Sequence, residues 1–147
     1  MKILLCTDGS KYSEAATEAV LERGSSQDGE FRILSVVDNL DDAFPEIDEY
    51  CVEHENGKDP RFKAAESIVE STARRLRAKG LHVTTEVEWG DPKTHIVDVA
   101  RRWHADLIVL GSHGRKGLEH FLLGSVSETV ARHAPCSVAI IRRRQPH

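Results

Sequence analysis

The residues with the clearest chemical potential lie in one stretch: Gly111-Ser112-His113-Gly114-Arg115-Lys116-Gly117-Leu118-Glu119-His120-Phe121-Leu122-Leu123-Gly124-Ser125. It follows an apolar run that reads as a strand, and it ends in Gly-Ser at the start of a helix. Glycines let a backbone approach an anion closely and take positive φ. The exposed N–H groups and dipole of a helix start favour phosphate. Ser125 adds a hydroxyl donor, and Arg115 and Lys116 add positive charge. His113 lies inside the loop, where it either contacts phosphate or shapes the turn. The plainer alternative is a glycine-rich turn that only connects strand to helix.

The spacing excludes two familiar phosphate loops. No GxxxxGK[ST] occurs, and Gly117 is followed by Leu118, so this is not a P-loop. It is not the dinucleotide GxGxxG either. Other chemistry is thinly represented. His54-Glu55 lacks the second histidine of HExxH, the eight histidines show no metal-ligand spacing, and no GxSxG or SxxK nucleophile is present. No metal ligand set is therefore expected from side chains alone. The three cysteines, Cys6, Cys51 and Cys136, are far apart and form no CxxC pair, which fits neither a disulfide framework nor a zinc ribbon. Cys6 and Cys136 sit in apolar stretches and read as small buried residues. A cytoplasmic setting follows most simply.

The elements that must position the loop alternate in type. Lys2–Thr7 is an apolar run without alternation, as expected of a strand buried on both faces of a parallel sheet. Asp8-Gly9-Ser10 breaks it, and Ser10 is placed to cap a helix over 12–23 that Gly24 ends as a C′ residue. Residues 31–37 read as a second strand. After Asp59, Pro60 suits the first position of a helix whose apolar stripe is Ala64, Ala65, Ile68, Val69, Ala73 and Leu76, closed by Gly80. Residues 82–89 alternate with period two, as an edge strand would. Gly90-Asp91-Pro92 turns into a helix buried through Ile96, Val97, Val99, Ala100 and Trp103. Leu107–Leu110 is another buried strand, a helix runs from about Gly124 to His133, and Ser137–Ile141 is the last strand. Strands and helices alternating in this way require parallel crossovers and a sheet covered on both sides, hence one α/β domain over 1–147. Ligands of such sheets lie beyond the carboxyl ends of the strands. Arg142-Arg143-Arg144 reads as a solvated tail.

Composition bounds the classes. The chain has 147 residues, 39% apolar and 30% charged, enough for a core without metal or disulfide staples. No apolar run approaches the about 20 residues of a membrane span. No membrane partner is therefore expected, and the N-terminal apolar stretch is shorter than a signal-peptide core, so secretion by that route is not expected either. A net charge of −4 is not the basic footprint of a nucleic-acid binder. The charge is uneven. Residues 38–60 hold nine acids against Lys58 alone, an acidic loop insertion that is either a solvated surface or a docking site for a basic partner or a cation.

Gly111 and Gly114 are separated by two residues, and Gly114 and Gly124-Ser125 by nine. This Gly-x2-Gly-x9-Gly-Ser pattern resembles the nucleotide-binding signature of the universal stress protein family, in its ATP-binding subgroup. The resemblance extends along nearly the whole chain: Thr7-Asp8-Gly9-Ser10, Gly90-Asp91-Pro92, Ala105 to Gly114, Leu122 to Ser127 and Ala134 to Val138. It implies an open parallel five-stranded sheet of order 3-2-1-4-5, adenine nucleotide alpha-hydrolase-like, with helices on both faces. It places Asp8 near the nucleoside and the Val37 backbone at the adenine edge. Gly111, Ser112, His113, Gly114 and Arg115 then lie beside ribose and phosphates, Gly124 and Ser125 at the phosphate-binding helix start, and Val126 or Ser127 as further contacts. The implied cofactor is ATP, or ADP or AMP, with Mg²⁺ on the phosphates. The implied assembly is a homodimer through the Ser137–Ile141 edge strand, exposed edges being prone to pairing.

Three functions fit this chain. The first is an ATP-binding stress-response sensor or regulator that presents a nucleotide-dependent surface to an unknown protein partner. The second is a slow ATPase or nucleotide-using transferase with Asp8 as metal ligand or water-orienting group. No second carboxylate in a matching loop supports it, so no catalytic residue is assigned. The third is an interaction module to which nucleotide is incidental.

Overall fold

The computed structural model describes residues 1–25, 27, 29–38, 59–114 and 123–143. The elements are β1 (Lys2–Cys6), α1 (Lys11–Arg23), β2 (Glu30–Val37), α2 (Pro60–Ala78), β3 (His82–Trp89), α3 (Pro92–Trp103), β4 (Leu107–Gly111), α4 (Ser125–His133) and β5 (Ser137–Ile141). The five strands form one sheet of order β3-β2-β1-β4-β5, and every neighbouring pair is parallel. This is the order the resemblance implies. The acidic segment lies outside the described residues over 39–58, including Cys51.

The register explains why β1 does not alternate. Side chains of a strand point to opposite faces in turn. Ile3 and Leu5 pack with Ala16 and Val20 of α1 and with Val69, Ala73 and Leu76 of α2. Leu4 and Cys6 pack on the other face with Ile96, Val99 and Ala100 of α3 and Val130 of α4. Both faces are core, so both sets must be apolar. Burial is complete enough to push the Cys6 thiol up to about 12, which keeps it protonated and unreactive.

Three helices start as their residues dictate. Ser10 Oγ accepts from Ser13 N at 3.2 Å. Asp59 Oδ1 accepts from Arg61 N at 2.8 Å, and Asp91 Oδ1 from Lys93 N at 3.0 Å. In α2 and α3 a proline follows the cap, where its missing N–H costs nothing. Among the described helices, only α4 begins without a side-chain cap, at Gly124.

Four expectations are corrected. Gly24 does not end α1 with a left-handed residue: its φ is −69°. It is needed for space, because a Cβ there would lie 2.6 Å from Val20 O and 3.4 Å from Phe31 and Leu81. The buried stripe of α2 omits Ala64, which is exposed, and includes Thr72. Thr72 faces the core because its hydroxyl donates to Ile68 O at 2.9 Å, leaving no unpaired polar atom. Cys136 is half-exposed rather than buried, because it precedes the edge strand. The loop glycines Gly111, Gly114 and Gly124 do not adopt positive φ; among the described glycines, Gly9, Gly29, Gly80 and Gly90 do.

Candidate functional site

The sheet order places Val37 and Gly111 at the carboxyl ends of β2 and β4, on either side of β1 and Asp8. The turn after β1 is held by hydroxyls. Ser13 Oγ donates to Ser10 O at 3.0 Å and accepts from Thr7 Oγ1 at 3.1 Å. Asp8 Oδ1 accepts from Ser10 N at 2.9 Å, which fixes the carboxylate plane. Gly9 takes a φ of 79° and so reverses the chain beneath it.

The loop after β4 reaches this turn through close approach. A Cβ on Gly114 would lie 3.3 Å from Asp8 Oδ2, so the two loops meet there. A Cβ on Gly111 would lie 2.5 Å from Tyr12 O and 2.6 Å from Tyr12 C. Gly111 is therefore glycine because the backbone of α1 occupies that space. His113 packs beside Tyr12, with ring centroids 5.1 Å apart and tilted by 50°.

Ser112, only 3% exposed, ties the site together. Its N–H donates to Ile141 O at 3.0 Å. Its carbonyl accepts from Gly124 N at 2.7 Å and from Ser127 Oγ at 2.8 Å. Its own hydroxyl shares a 3.0 Å hydrogen bond with His113 Nδ1. One buried residue thus joins the start of the loop to the start of α4 and anchors both to β5. Gly124 fits against it closely, since a Cβ there would lie 3.1 Å from His113 Cα and 3.2 Å from Ser112 O.

Asp8, Ser112, His113, Gly114, Gly124 and Ser125 are thereby gathered at one edge. Ser125 is exposed at the first turn of α4. Val126 packs against the core cluster of α3 and α4. Ser127 is 2% exposed, and its hydroxyl is directed to Ser112 O and, at 3.0 Å, Gly124 O. Arg115, with Lys116 to Leu122, lies outside the described residues. Val37 stands across β1, its carbonyl accepting from Gly90 N at 2.9 Å. Among the described residues no group of three His, Cys, Asp or Glu side chains is placed to hold a metal, and no helix is long and apolar enough to cross a membrane.

Sequence reasoning missed two groups near this edge. One is Tyr12, Ser13 and Thr7, which shape the Asp8 turn. Its local signal was the cluster of hydroxyls around Ser10. The other follows β3. Trp89 stacks on Phe62 with centroids 5.8 Å apart, the Arg61 guanidinium lies 5.1 Å from its ring, and its indole Nε1 is buried with no hydrogen-bond partner among the described residues. Nothing local to Trp89 signals this, because Phe62 and Arg61 come from α2.

Residues 1–142 match the model of the universal stress protein family. A putative universal stress protein of Staphylococcus aureus is 31% identical over 145 residues, covering 97% of this chain and 84% of the relative. Among solved structures, the hypothetical protein MJ0577 superposes with a TM-score of 0.84 at 29% identity, covering 99% of this chain and 97% of that one. Two more distant fold neighbours were solved with nucleotides. A universal stress protein in complex with cAMP has a TM-score of 0.68 at 22% identity, covering 98% of each chain. An Arabidopsis thaliana protein of the family, with AMP bound, has a TM-score of 0.65 at 19% identity, covering 98% of this chain and 92% of that one.

Proposed function

The chain belongs to the universal stress protein family, and from that premise we propose that it binds an adenine nucleotide and acts as a stress-response sensor or regulator. The observation that carries the reading is the Ser112 staple. It holds the uncapped start of α4 at Gly124 and Ser125 beside Gly114 and Asp8. A helix start without a side-chain cap keeps its first N–H groups for an anion. Gly114 leaves the space a side chain would fill above Asp8. In this reading phosphates lie on Gly124 and Ser125, Asp8 takes a ribose hydroxyl, and the Val37 backbone meets the base edge. The AMP and cAMP complexes of the fold neighbours support the ligand class. ATP with Mg²⁺ on its phosphates is the form proposed, with ADP and AMP as the related ligands. A homodimer through the free side of β5 is proposed alongside, because β5 ends the sheet and an edge backbone invites pairing.

The test is to denature freshly purified protein, identify the released nucleotide by mass spectrometry, and titrate emptied protein with ATP, ADP and AMP. Near-stoichiometric adenine nucleotide, or saturable binding that Gly124→Val weakens at least about tenfold, is expected. No released nucleotide and no heat of binding for any of the three would refute the reading.

A further inference from the structure

The turn after β3 bears directly on the base edge. Gly90 has a φ of 142°, a conformation that L side chains avoid. A Cβ on it would also fall onto the imidazole of His95 at Nε2. His95 is held from two sides. Its N–H donates to Asp91 O at 3.0 Å. Its Nδ1 lies 2.8 Å from Glu88 Oε1, and the other oxygen of that carboxylate accepts from Arg102 at 2.7 Å. Glu88 is ionised at neutral pH, so Nδ1 carries the proton and donates it. The ring is thus fixed against the Gly90 backbone by a strand residue two positions earlier and by the first turn of α3.

The consequence lies across the ladder. With the turn fixed, Gly90 N–H meets Val37 O at 2.9 Å. A carbonyl has two acceptor lone pairs, so one remains unused among the described residues. The same peptide unit carries Val37 C=O and Asp38 N–H pointing in opposite directions. A flip of that peptide would present a donor where the acceptor now stands, and the Gly90 bond opposes the flip.

We propose that His95 is a positioning residue for base selection: through Gly90 it locks the Val37–Asp38 peptide with its carbonyl as acceptor, so the site takes a 6-aminopurine and rejects a 6-oxopurine. The 6-amino group donates to the free lone pair of Val37 O. A 6-oxo group would oppose acceptor to acceptor. This inference rests on the adenine-nucleotide reading above.

ATP and inosine triphosphate differ only along the N1–C6 edge of the base, a 6-amino donor beside an acceptor N1 against a 6-oxo acceptor beside an N1–H donor, so calorimetric titration with both reads the hydrogen-bonding sense of the Val37–Asp38 peptide. The unmodified chain is expected to prefer ATP by about tenfold or more. In His95→Ala the preference should fall below about threefold, with ATP weakened more than inosine triphosphate. Glu88→Gln retains an acceptor for Nδ1–H and should keep the preference within about threefold of the unmodified value. Should His95→Ala not fold, His95→Gln, which lacks the ring, is read in the same way. A merely structural role for His95 would weaken both nucleotides equally. That result, or an unchanged ratio, overturns the proposal while leaving ATP binding intact. An unmodified chain that binds neither nucleotide overturns the adenine-nucleotide reading and this inference with it.

Discussion

Ser125 and Ser127 stand two residues apart on the same helix turn, and the structure assigns them opposite fates. Ser127 is 2% exposed with its hydroxyl 2.8 Å from Ser112 O and 3.0 Å from Gly124 O. Ser125 is exposed, and its hydroxyl makes no hydrogen bond among the described residues. Replacing Ser127 with Ala removes the buried bond, yet Ser112 O still receives Gly124 N at 2.7 Å, so no acceptor is orphaned. The loss is that of one ordinary hydrogen bond, about 0.5–1.5 kcal/mol. For a chain of 147 residues, unfolding entropy near about 300 cal/mol/K converts this to a Tm lower by about 2–5 °C. Ser125→Ala should change Tm by less than about 2 °C, as surface substitutions do. It should instead weaken ATP about tenfold, the value of one hydrogen bond of about 1.5 kcal/mol to a charged oxygen. Scanning calorimetry on nucleotide-free protein and titration calorimetry with ATP separate the two effects. If Ser127→Ala weakened ATP tenfold with an unchanged Tm, or Ser125→Ala lowered Tm without touching affinity, the division of labour drawn from the Ser112 staple would be wrong.

Two further outcomes follow from the sheet edges. The neighbouring Glu86 carboxyl, itself raised by burial and by this contact, together with His95 and Arg102 holds the Glu88 carboxyl down to about 2 against the opposing effect of burial. Its folded pKa is depressed, so its contribution is complete above the unfolded value of about 4.3 and fades as pH falls toward about 2. Glu88→Gln should therefore lower Tm at pH 7 by at most about 3 °C, given a partly exposed pair, and the gap should close in acid; a gap that widens on acidification contradicts this. At the other edge, Val138→Pro removes a backbone donor from β5. Light scattering should then report the 16.4 kDa monomer in place of a dimer, and a dimer that persists puts the interface elsewhere.

Much of the fold was legible because its causes are local. Ser10, Asp59-Pro60 and Asp91-Pro92 cap the helices that follow them within a residue or two. The unbroken apolar runs of β1 and β4 announced strands with core on both faces, and the alternation over 82–89 announced an edge strand. The loop from Gly111 to Ser125 was legible as a phosphate candidate for the same reason: glycine spacing and a helix start are written in consecutive residues.

The sequence by itself thus determined the elements, their order, and which loop carries polar and glycine residues at a strand end. Only the tertiary structure decided what each of those residues touches. Gly111 is required by the backbone at Tyr12, and Gly124 by Ser112 and His113. Ser127 turns inward to Ser112 while Ser125 faces out. Gly90 carries the unusual φ and holds Val37 because His95 fills the space beside it. Periodicity and capping depend on neighbours along the chain, which a sequence displays. Close approach depends on which distant backbone arrives at a given point, and that is set by how the helices pack on the sheet.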